Sequence, residues 1–429
     1  MPDTPGRRPR ALDPWPALRA ALAGAFAGLI GGGYRWTLGL AYPYHVKLLV
    51  DVGEVRFGWM LLVVLFASGA ALSSWLTVRF APEAAGSGIP HVEESIAQDR
   101  RLHWQRLLPV KFVAGALALV SGLSLGREGP TVHLGAAVAS ALQGPLGLRA
   151  RRAMLAAGAA AGLTAAFSAP IAGFVFALEE LRQRPNRLLV STVLPAVLAS
   201  YLVTTWLLGD RPMFPLPPSP TPSAVLTPLF VVLGLAAGMV GVAFNRGLLR
   251  ALDLFEALPG PRWLGAAAVG VLAAGVALWL PYAIGNGEPA AEAMIRGHFP
   301  AALAGLVLFL AVKLGLTAVS YGCGVPGGIF APQLVLGATV GAIAHALAPD
   351  LGGGTLGPVL ATAGMVGVFV ASVRAPITGL VLLVELTAEG HLLLVQATAA
   401  LAAYLFAASV RDRPVYEALR ERDAKRASA

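Results

Sequence analysis

The chain has few charged residues, which make a protein soluble in water, and almost no cysteine, which can cross-link it. Of its 429 residues only 13% are charged, and a single cysteine, Cys323, excludes an intrachain disulfide. By contrast 56% of the residues are hydrophobic, and the mean hydropathy is +0.70. Several apolar runs are long enough to cross a bilayer, and the long first run does not fit a cleavable signal peptide. The composition therefore predicts a polytopic, all-α membrane protein.

Acidic residues are also scarce, with 23 Asp and Glu against 32 Lys and Arg, which gives a net charge of +9. Such a balance can indicate nucleic-acid binding. Here the basic residues cluster before the first apolar run and after the last one, at Arg7, Arg8, Arg10, Arg19, Arg411, Arg413, Arg420, Arg422, Lys425 and Arg426. The positive-inside rule then predicts that both termini are cytoplasmic, at the inner (plasma) membrane, with an even number of full crossings. We expect a lipid bilayer as the partner and no nucleic acid.

A proline-rich connector, GDRPMFPLPPSPTPSA at 209–224, divides the apolar runs into two halves. It has no periodicity and resembles a linker. The predicted order is a cytoplasmic segment, one transmembrane domain and a basic tail, at residues 1–17, 18–420 and 421–429. Within the domain the first half is 18–208 and the second half is 225–420. The apolar stretches 154–178 and 359–386 are each predicted as one continuous run, and the basic stretch 149–152 as a loop.

Charges interrupt the apolar sequence at Gly126-Arg127-Glu128-Gly129-Pro130. A charge at membrane depth costs about 3 kcal/mol or more, so we expect this cluster to have a specific structural or functional role. Pro130 suits the first turn of a helix, and the glycines allow the backbone to approach a partner closely. Because a helix N-terminus attracts anions, the pattern predicts an anion site that Glu128 occupies as a tethered anion. The alternative is an ordinary capping glutamate in a helical core.

The two halves contain an internal repeat. Val110-Lys111 matches Val312-Lys313 and Pro130 matches Pro332, each pair separated by 202 residues. Further along, APIAGFVFALEE at 169–180 matches APITGLVLLVEL at 375–386, with a separation of 206 residues. Repeats whose paired segments are broken by glycine and proline indicate a substrate site near the membrane midplane, formed by the ends of half-helices. The broken segments here are GREGP and GIFAP.

Four features together resemble the CLC family of chloride channels and transporters: GSGIP at 86–90, GREGP at 126–130, GGIFAP at 327–332 and a tyrosine just past the last span. The resemblance covers roughly residues 18–420. It implies a homodimer with one anion pathway per subunit, and two inverted-topology repeats with many tilted and half-spanning helices. It also implies an anion site that contains the hydroxyls of Ser87 and Tyr416, the backbone of Ile329 and Phe330, and Gly129.

The same resemblance implies a proton pathway. Glu128 would be the gating glutamate, and Glu180 the residue that transfers protons at the inner mouth. The residues alone do not distinguish Glu180 from its neighbour Glu179. We therefore expect a chloride/proton antiporter without a cofactor, in which chloride is the transported ligand. The alternative on the same fold is a passive voltage- or pH-gated chloride channel.

Neutral hydroxyl and amide donors suit this chemistry, because a fixed cation would trap a weakly hydrated anion. Other interpretations are weaker. Ser87 and His91 could form a hydrolase dyad, and His91 with Glu93 and Glu94 a metal site, but neither explains GREGP or GIFAP; we expect no enzyme and no metal. Glu93 and Glu94 are predicted as solvated surface charges. Structural roles are predicted for Lys111, Lys313, Arg127 and Glu385, the last as a helix cap.

Overall fold

The computed structural model describes residues 14–54, 57–98, 102–144, 146–217, 219, 221–350 and 355–428. Residues 1–13 of the predicted N-terminal segment lie outside this part. The helices of the first half are α1 (Pro14–Glu54), α2 (Gly58–Phe80), α3 (Ile89–Gln98), α4 (Trp104–Val120), α5 (Glu128–Leu142), α6 (Leu148–Phe167), α7 (Pro170–Glu179) and α8 (Arg187–Leu208). Those that follow are α9 (Thr227–Ala257), α10 (Arg262–Trp279), α11 (Glu288–Ile295), α12 (Leu303–Gly322), α13 (Phe330–Leu347), α14 (Gly357–Val373), α15 (Pro376–Thr387), α16 (Leu393–Ser409) and α17 (Val415–Ser428).

Within the described part of the chain, eight helices are long and apolar enough to cross a membrane. Other apolar helices, such as α7 with 10 residues and α15 with 12, are too short to span a bilayer. The prediction of an all-α polytopic protein with half-spanning helices is confirmed. Residues 421–428 of the predicted basic tail belong to the helix α17.

Two predicted continuous runs are broken, so the prediction was wrong there. The run 154–178 is divided between α6 and α7 at Ser168, whose φ is 54°. The run 359–386 is divided between α14 and α15 at Arg374, whose φ is 67°. In both cases an Ala-Pro pair follows, and proline disfavours helical geometry in the residue before it while starting a new helix itself. The basic stretch 149–152 lies in the first turns of α6 and is not a loop.

The repeat is visible in the contacts of two buried lysines. Lys111 Nζ donates hydrogen bonds to the carbonyls of Ala84 and Gly86, both at 2.8 Å. Lys313 Nζ donates to the carbonyls of Ala283 and Gly285, at 3.0 and 2.8 Å. Both side chains are fully buried, and each ammonium binds the end of a short 3₁₀ turn. The lysines therefore have the structural role that the sequence predicted.

These contacts also align two motifs that the sequence analysis did not pair. Gly285-Asn286-Gly287-Glu288-Pro289 lies 199 residues after GSGIP and forms the same turn. The Ile89 N–H donates to Ser87 Oγ at 3.1 Å, and the Glu288 N–H donates to Asn286 Oδ1 at 3.2 Å. The shared pattern G-x-G-x-P was the signal that could have revealed this match.

Helix pairs in both halves pack through glycine, as is common where membrane helices approach closely. A methyl group on Gly135 of α5 would overlap the carbonyl oxygen of Gly158 in α6. In the second half, a methyl group on Gly337 of α13 would overlap the carbonyl oxygen of Gly364 in α14. These contacts fix the two helices whose N-termini carry the GREGP and GIFAP segments.

We expect Gly135→Ala to destabilise the protein, because the added methyl group must push α5 and α6 apart. Overpacking of this kind costs about 1–3 kcal/mol. The measurement is the melting temperature of the detergent-solubilised protein, which should fall. Gly275→Ala is the matched control, since a methyl group on Gly275 of α10 meets no atom within 4 Å. Equal melting temperatures for the two variants would contradict the packing argument.

Candidate functional site

Backbone hydrogen bonds bring the three glycine-rich segments together. Gly126 and Gly328 exchange N–H···O bonds of 2.8 and 2.7 Å. The Gly86 N–H donates to the Val325 carbonyl at 3.1 Å, and the Gly327 N–H donates to the Gly86 carbonyl at 3.0 Å. Segments that lie about 40 and 240 residues apart in sequence thus meet at one place, where α3, α5 and α13 begin.

The Glu128 carboxylate lies where α5 meets the start of α13. The side chain is fully buried, and its Oε1 accepts a hydrogen bond of 3.0 Å from the Ala331 N–H. The amides of Phe330 and of Glu128 itself also lie close to the carboxylate. A methyl group on Gly126 or Gly328 would overlap this carboxylate, so the two glycines make room for it. The Glu128 carboxyl group therefore lies at a helix N-terminus of the opposite half, in addition to the N-terminus of its own helix.

Four of the predicted anion-binding residues are brought together beside Glu128. Ser87 is 1% exposed, and its Oγ accepts from the Ile89 N–H, which leaves the O–H free to donate. A methyl group on Gly129 would overlap Ser87, so the two residues are in direct proximity. Tyr416 is also 1% exposed, and its ring centroid lies 5.8 Å from that of Phe330.

The Tyr416 hydroxyl makes no hydrogen bond to any residue that the structure describes. Its polar neighbours include Tyr321, Glu128 and Ser87. Burying a hydroxyl without a hydrogen-bond partner costs free energy, and a ligand that accepts from this O–H would recover it. The Tyr416 O–H is therefore available to a ligand. Ile329, the fifth predicted residue, is fully buried immediately before α13, where it accompanies Phe330 at the helix start.

Glu180 follows the last residue of α7 and is 9% exposed. It lies beside Glu93 of the short polar helix α3. The Glu93 side chain is only 7% exposed, because α17 covers it. The prediction that Glu93 is a solvated surface charge was therefore wrong. Burial raises the pKa of Glu180 well above its ordinary value, and the nearby Glu93 raises it further. Burial also raises the pKa of Glu93, against the opposing effect of Arg420, whose Nη1 lies 3.5 Å from its carboxylate.

The adjacent Glu179 has a different environment. Its carboxylate accepts from the Ile377 N–H at 3.1 Å, the Thr378 N–H at 2.7 Å and the Thr378 hydroxyl at 2.8 Å. It therefore caps α15 of the other half. Glu385 does the same for α7, and accepts from the N–H groups of Ile171 and Ala172 at 2.9 and 2.7 Å. Glu385 is thus the structural helix cap that the sequence predicted.

Arg127 anchors the segment next to Glu128. Its Nε donates to the Ala166 carbonyl at 3.2 Å, and its Nη2 lies 2.8 Å from the carboxylate of Glu288. The side chain is thereby engaged on two sides by protein groups, in agreement with the predicted structural role.

The alternative interpretations find little geometric support. Nδ1 of His91 lies 3.0 Å from Nε2 of the buried His133, which gives this ring nitrogen a partner other than Ser87. Among the described residues, no three His, Cys, Asp or Glu side chains are grouped so that they could hold a metal ion.

A cavity of about 700 Å³ extends from Ser87 to α17. It is lined near Ser87 by Gly86, Gly88 and Tyr321, and farther out by Arg422 and Asp423. The sequence analysis missed Tyr321, whose hydroxyl accepts a hydrogen bond of 3.3 Å from the Ser87 N–H. No local pattern marks this tyrosine, because the residue it contacts is 234 positions away.

Comparison with known proteins places this geometry in context. A family profile described as "Voltage gated chloride channel" matches residues 69–408. The chain is 36% identical over 419 residues to the H(+)/Cl(-) exchange transporter ClcA of Salmonella arizonae, a match that covers 94% of this chain and 87% of that protein. It is 37% identical over 418 residues to the protein of the same name from Salmonella typhi, with 93% and 87% covered.

Solved structures are similar as well. The crystal structure of a slow cyanobacterial Cl⁻/H⁺ antiporter superposes with a TM-score of 0.91 at 29% identity, and covers 96% of this chain and 99% of that one. A eukaryotic CLC transporter superposes with a TM-score of 0.76 at 23% identity, with 94% and 74% covered, and shows a similarity of fold.

Proposed function

The chain belongs to the voltage-gated chloride channel (CLC) family, and we propose that it is a chloride/proton antiporter in which Glu128 is the gate. The exchange of chloride for protons is the activity named for the ClcA relatives and for the cyanobacterial structure. These names favour transport over catalysis. The residues of this chain supply the groups that such an exchange requires.

The observation that carries the proposal is the position of the Glu128 carboxylate on the Ala331 amide. This position combines a helix N-terminus with the nearby hydroxyls of Ser87 and Tyr416, all of them neutral donors. Such donors bind a halide without holding it as tightly as a fixed cation would. A carboxylate in the same place competes with chloride for these donors, and it does so only while it is deprotonated.

This competition between the Glu128 carboxylate and chloride couples the movement of chloride to the movement of protons. When chloride displaces the carboxylate from the amides, the negative charge of Glu128 loses its hydrogen bonds, and binding of a proton becomes favourable. When the proton leaves, the carboxylate returns and the chloride must move on. Each cycle therefore moves chloride one way and a proton the other way, with no cofactor required.

Glu180 is proposed as the residue that exchanges protons with the inner side. It is buried with Glu93, and its carboxylate has no role as a helix cap, whereas three donors from α15 hold the carboxylate of Glu179. Burial raises the pKa of Glu180, so this group binds and releases a proton at a higher pH than an exposed carboxylate does, which suits proton transfer. This environment favours Glu180 over Glu179.

The experiment is a chloride gradient across liposomes that contain the purified protein, with no initial proton gradient and the voltage held at the proton equilibrium potential. Antiport predicts that chloride moving down its gradient drives protons in the opposite direction, seen as a change of external pH. Chloride flux without any proton movement would identify a passive channel instead. Absence of chloride flux would contradict the choice of anion.

We further propose a homodimer in the inner membrane with both termini in the cytoplasm, as the family membership suggests. Exposed apolar side chains on α7 and α15 offer a surface for a second copy or for lipid, among them Ile171 and Ile377, each 59% exposed. The mass of the protein in detergent, corrected for bound detergent, tests the dimer. A monomer mass would contradict it.

A further inference from the structure

Tyr321 lies at the end of α12, against the segment that carries Ser87. The residue is 5% exposed, and its hydroxyl accepts a hydrogen bond of 3.3 Å from the Ser87 N–H. A methyl group on the neighbouring Gly86 would press on this hydroxyl, which explains why only glycine fits there. Tyr321 also lines the cavity that leads to Ser87.

The hydrogen-bond inventory leaves Tyr321 with a proton to donate. A phenol has one O–H donor and can accept as well. Here the Ser87 N–H donates to the phenol oxygen, and the Ser87 hydroxyl is a second polar neighbour on that accepting side. In the described part of the chain the phenol O–H donates no hydrogen bond to a backbone carbonyl or a carboxylate. A hydroxyl that accepts one hydrogen bond is polarised and becomes a better donor. The hydrogen bond from the buried Ser87 amide therefore strengthens the Tyr321 O–H as a donor at the cavity wall.

The internal repeat indicates that packing alone does not require a tyrosine at this position. With the separation of 202 residues that relates Lys111 to Lys313, the counterpart of Tyr321 is Leu119. Leu119 is 6% exposed and has a comparable place at the end of α4. The first half thus fills the equivalent position with an apolar side chain, whereas the second half places a hydroxyl beside the anion site.

We propose that the Tyr321 hydroxyl binds the transported anion on the cavity side of Ser87, as a third hydroxyl donor beside Ser87 and Tyr416. The ligand is a monovalent halide, chloride under the function proposed above, on which this inference rests. Tyr321 makes contact with the anion as it passes between the cavity and the Glu128 site. It adds affinity without a fixed positive charge, so the anion can still leave.

The test is Tyr321→Phe, which removes one hydroxyl and keeps the ring. The dissociation constant for chloride, measured by calorimetry on the purified protein, should rise about two- to twelvefold, the equivalent of one lost hydrogen bond. The KM for chloride in liposome exchange should rise by a similar factor, while kcat and the ratio of chloride to protons stay unchanged. A purely structural tyrosine would change the melting temperature without this separation of KM from kcat.

Tyr282→Phe is the matched control, because the Tyr282 ring packs against Phe299 and does not line the cavity. Tyr321→Leu, which copies the side chain of the first half, is a second variant and should weaken chloride binding at least as much. Chloride affinity that is unchanged or increased in a folded Tyr321→Phe or Tyr321→Leu protein would overturn the proposal. Failure of wild-type exchange would instead overturn the proposed function, so the two failures are distinguishable.

Discussion

Replacement of Glu128 by glutamine is expected to leave chloride flux without proton flux. The amide has nearly the shape of the carboxylate but neither titrates nor carries a negative charge. It therefore cannot transfer a proton, and it competes weakly with chloride for the Ala331 amide. The measurement is chloride-driven proton movement in liposomes, which should fall to the background of protein-free vesicles while chloride efflux continues.

Chloride binding should persist in Glu128→Gln, because the hydroxyls of Ser87 and Tyr416 remain in place. A suitable control is Glu389→Gln, since Glu389 is a partly exposed carboxylate paired with His391 and away from the three glycine-rich segments. This control should retain coupled exchange. If Glu128→Gln moved protons at the wild-type ratio to chloride, the gate would have to be assigned to another residue.

Glu180→Gln is expected to abolish proton transport as well, but for a different reason. The anion site stays intact, so chloride flux continues, while protons lose their route between Glu128 and the side of the protein that carries α17. Burial raises the pKa of Glu180, so the wild-type residue holds its proton at a higher pH than a free carboxylate does. Proton-coupled exchange should accordingly slow as the pH on that side rises through the raised pKa, and the variant should lose this dependence.

The adjacent Glu179 provides a control for the predicted role of Glu180. Glu179→Gln removes the charge that caps α15 through the amides of Ile377 and Thr378. Loss of a helix cap costs about 0.5–2 kcal/mol, so the melting temperature should fall while coupled exchange survives. The reverse pattern, with coupling lost in Glu179→Gln and kept in Glu180→Gln, would exchange the two assignments.

Much of the architecture could be predicted because it depends on local chemistry. Proline fixes its own φ and cannot donate a hydrogen bond, so Pro130, Pro170, Pro332 and Pro376 each lie in the first turn of a helix. Apolar runs predict spans by length alone, and a charge between two such runs indicates a function. The two breaks at Ser168 and Arg374 were missed because hydropathy does not show them, although the Ala-Pro pair after each one is a local signal of a helix end.

The sequence by itself therefore determined the helical membrane fold, the internal repeat, and the glycine-rich segments with Glu128 among them, because these follow from hydropathy, backbone geometry and spacing. Only the tertiary structure decided which side chains and backbone groups are in contact. It placed Glu128 on Ala331, Glu179 on α15 and Tyr321 on Ser87, pairs that lie about 200 residues or more apart in the chain. Contacts of this kind arise when the two halves pack against each other, and no local pattern of residues encodes them.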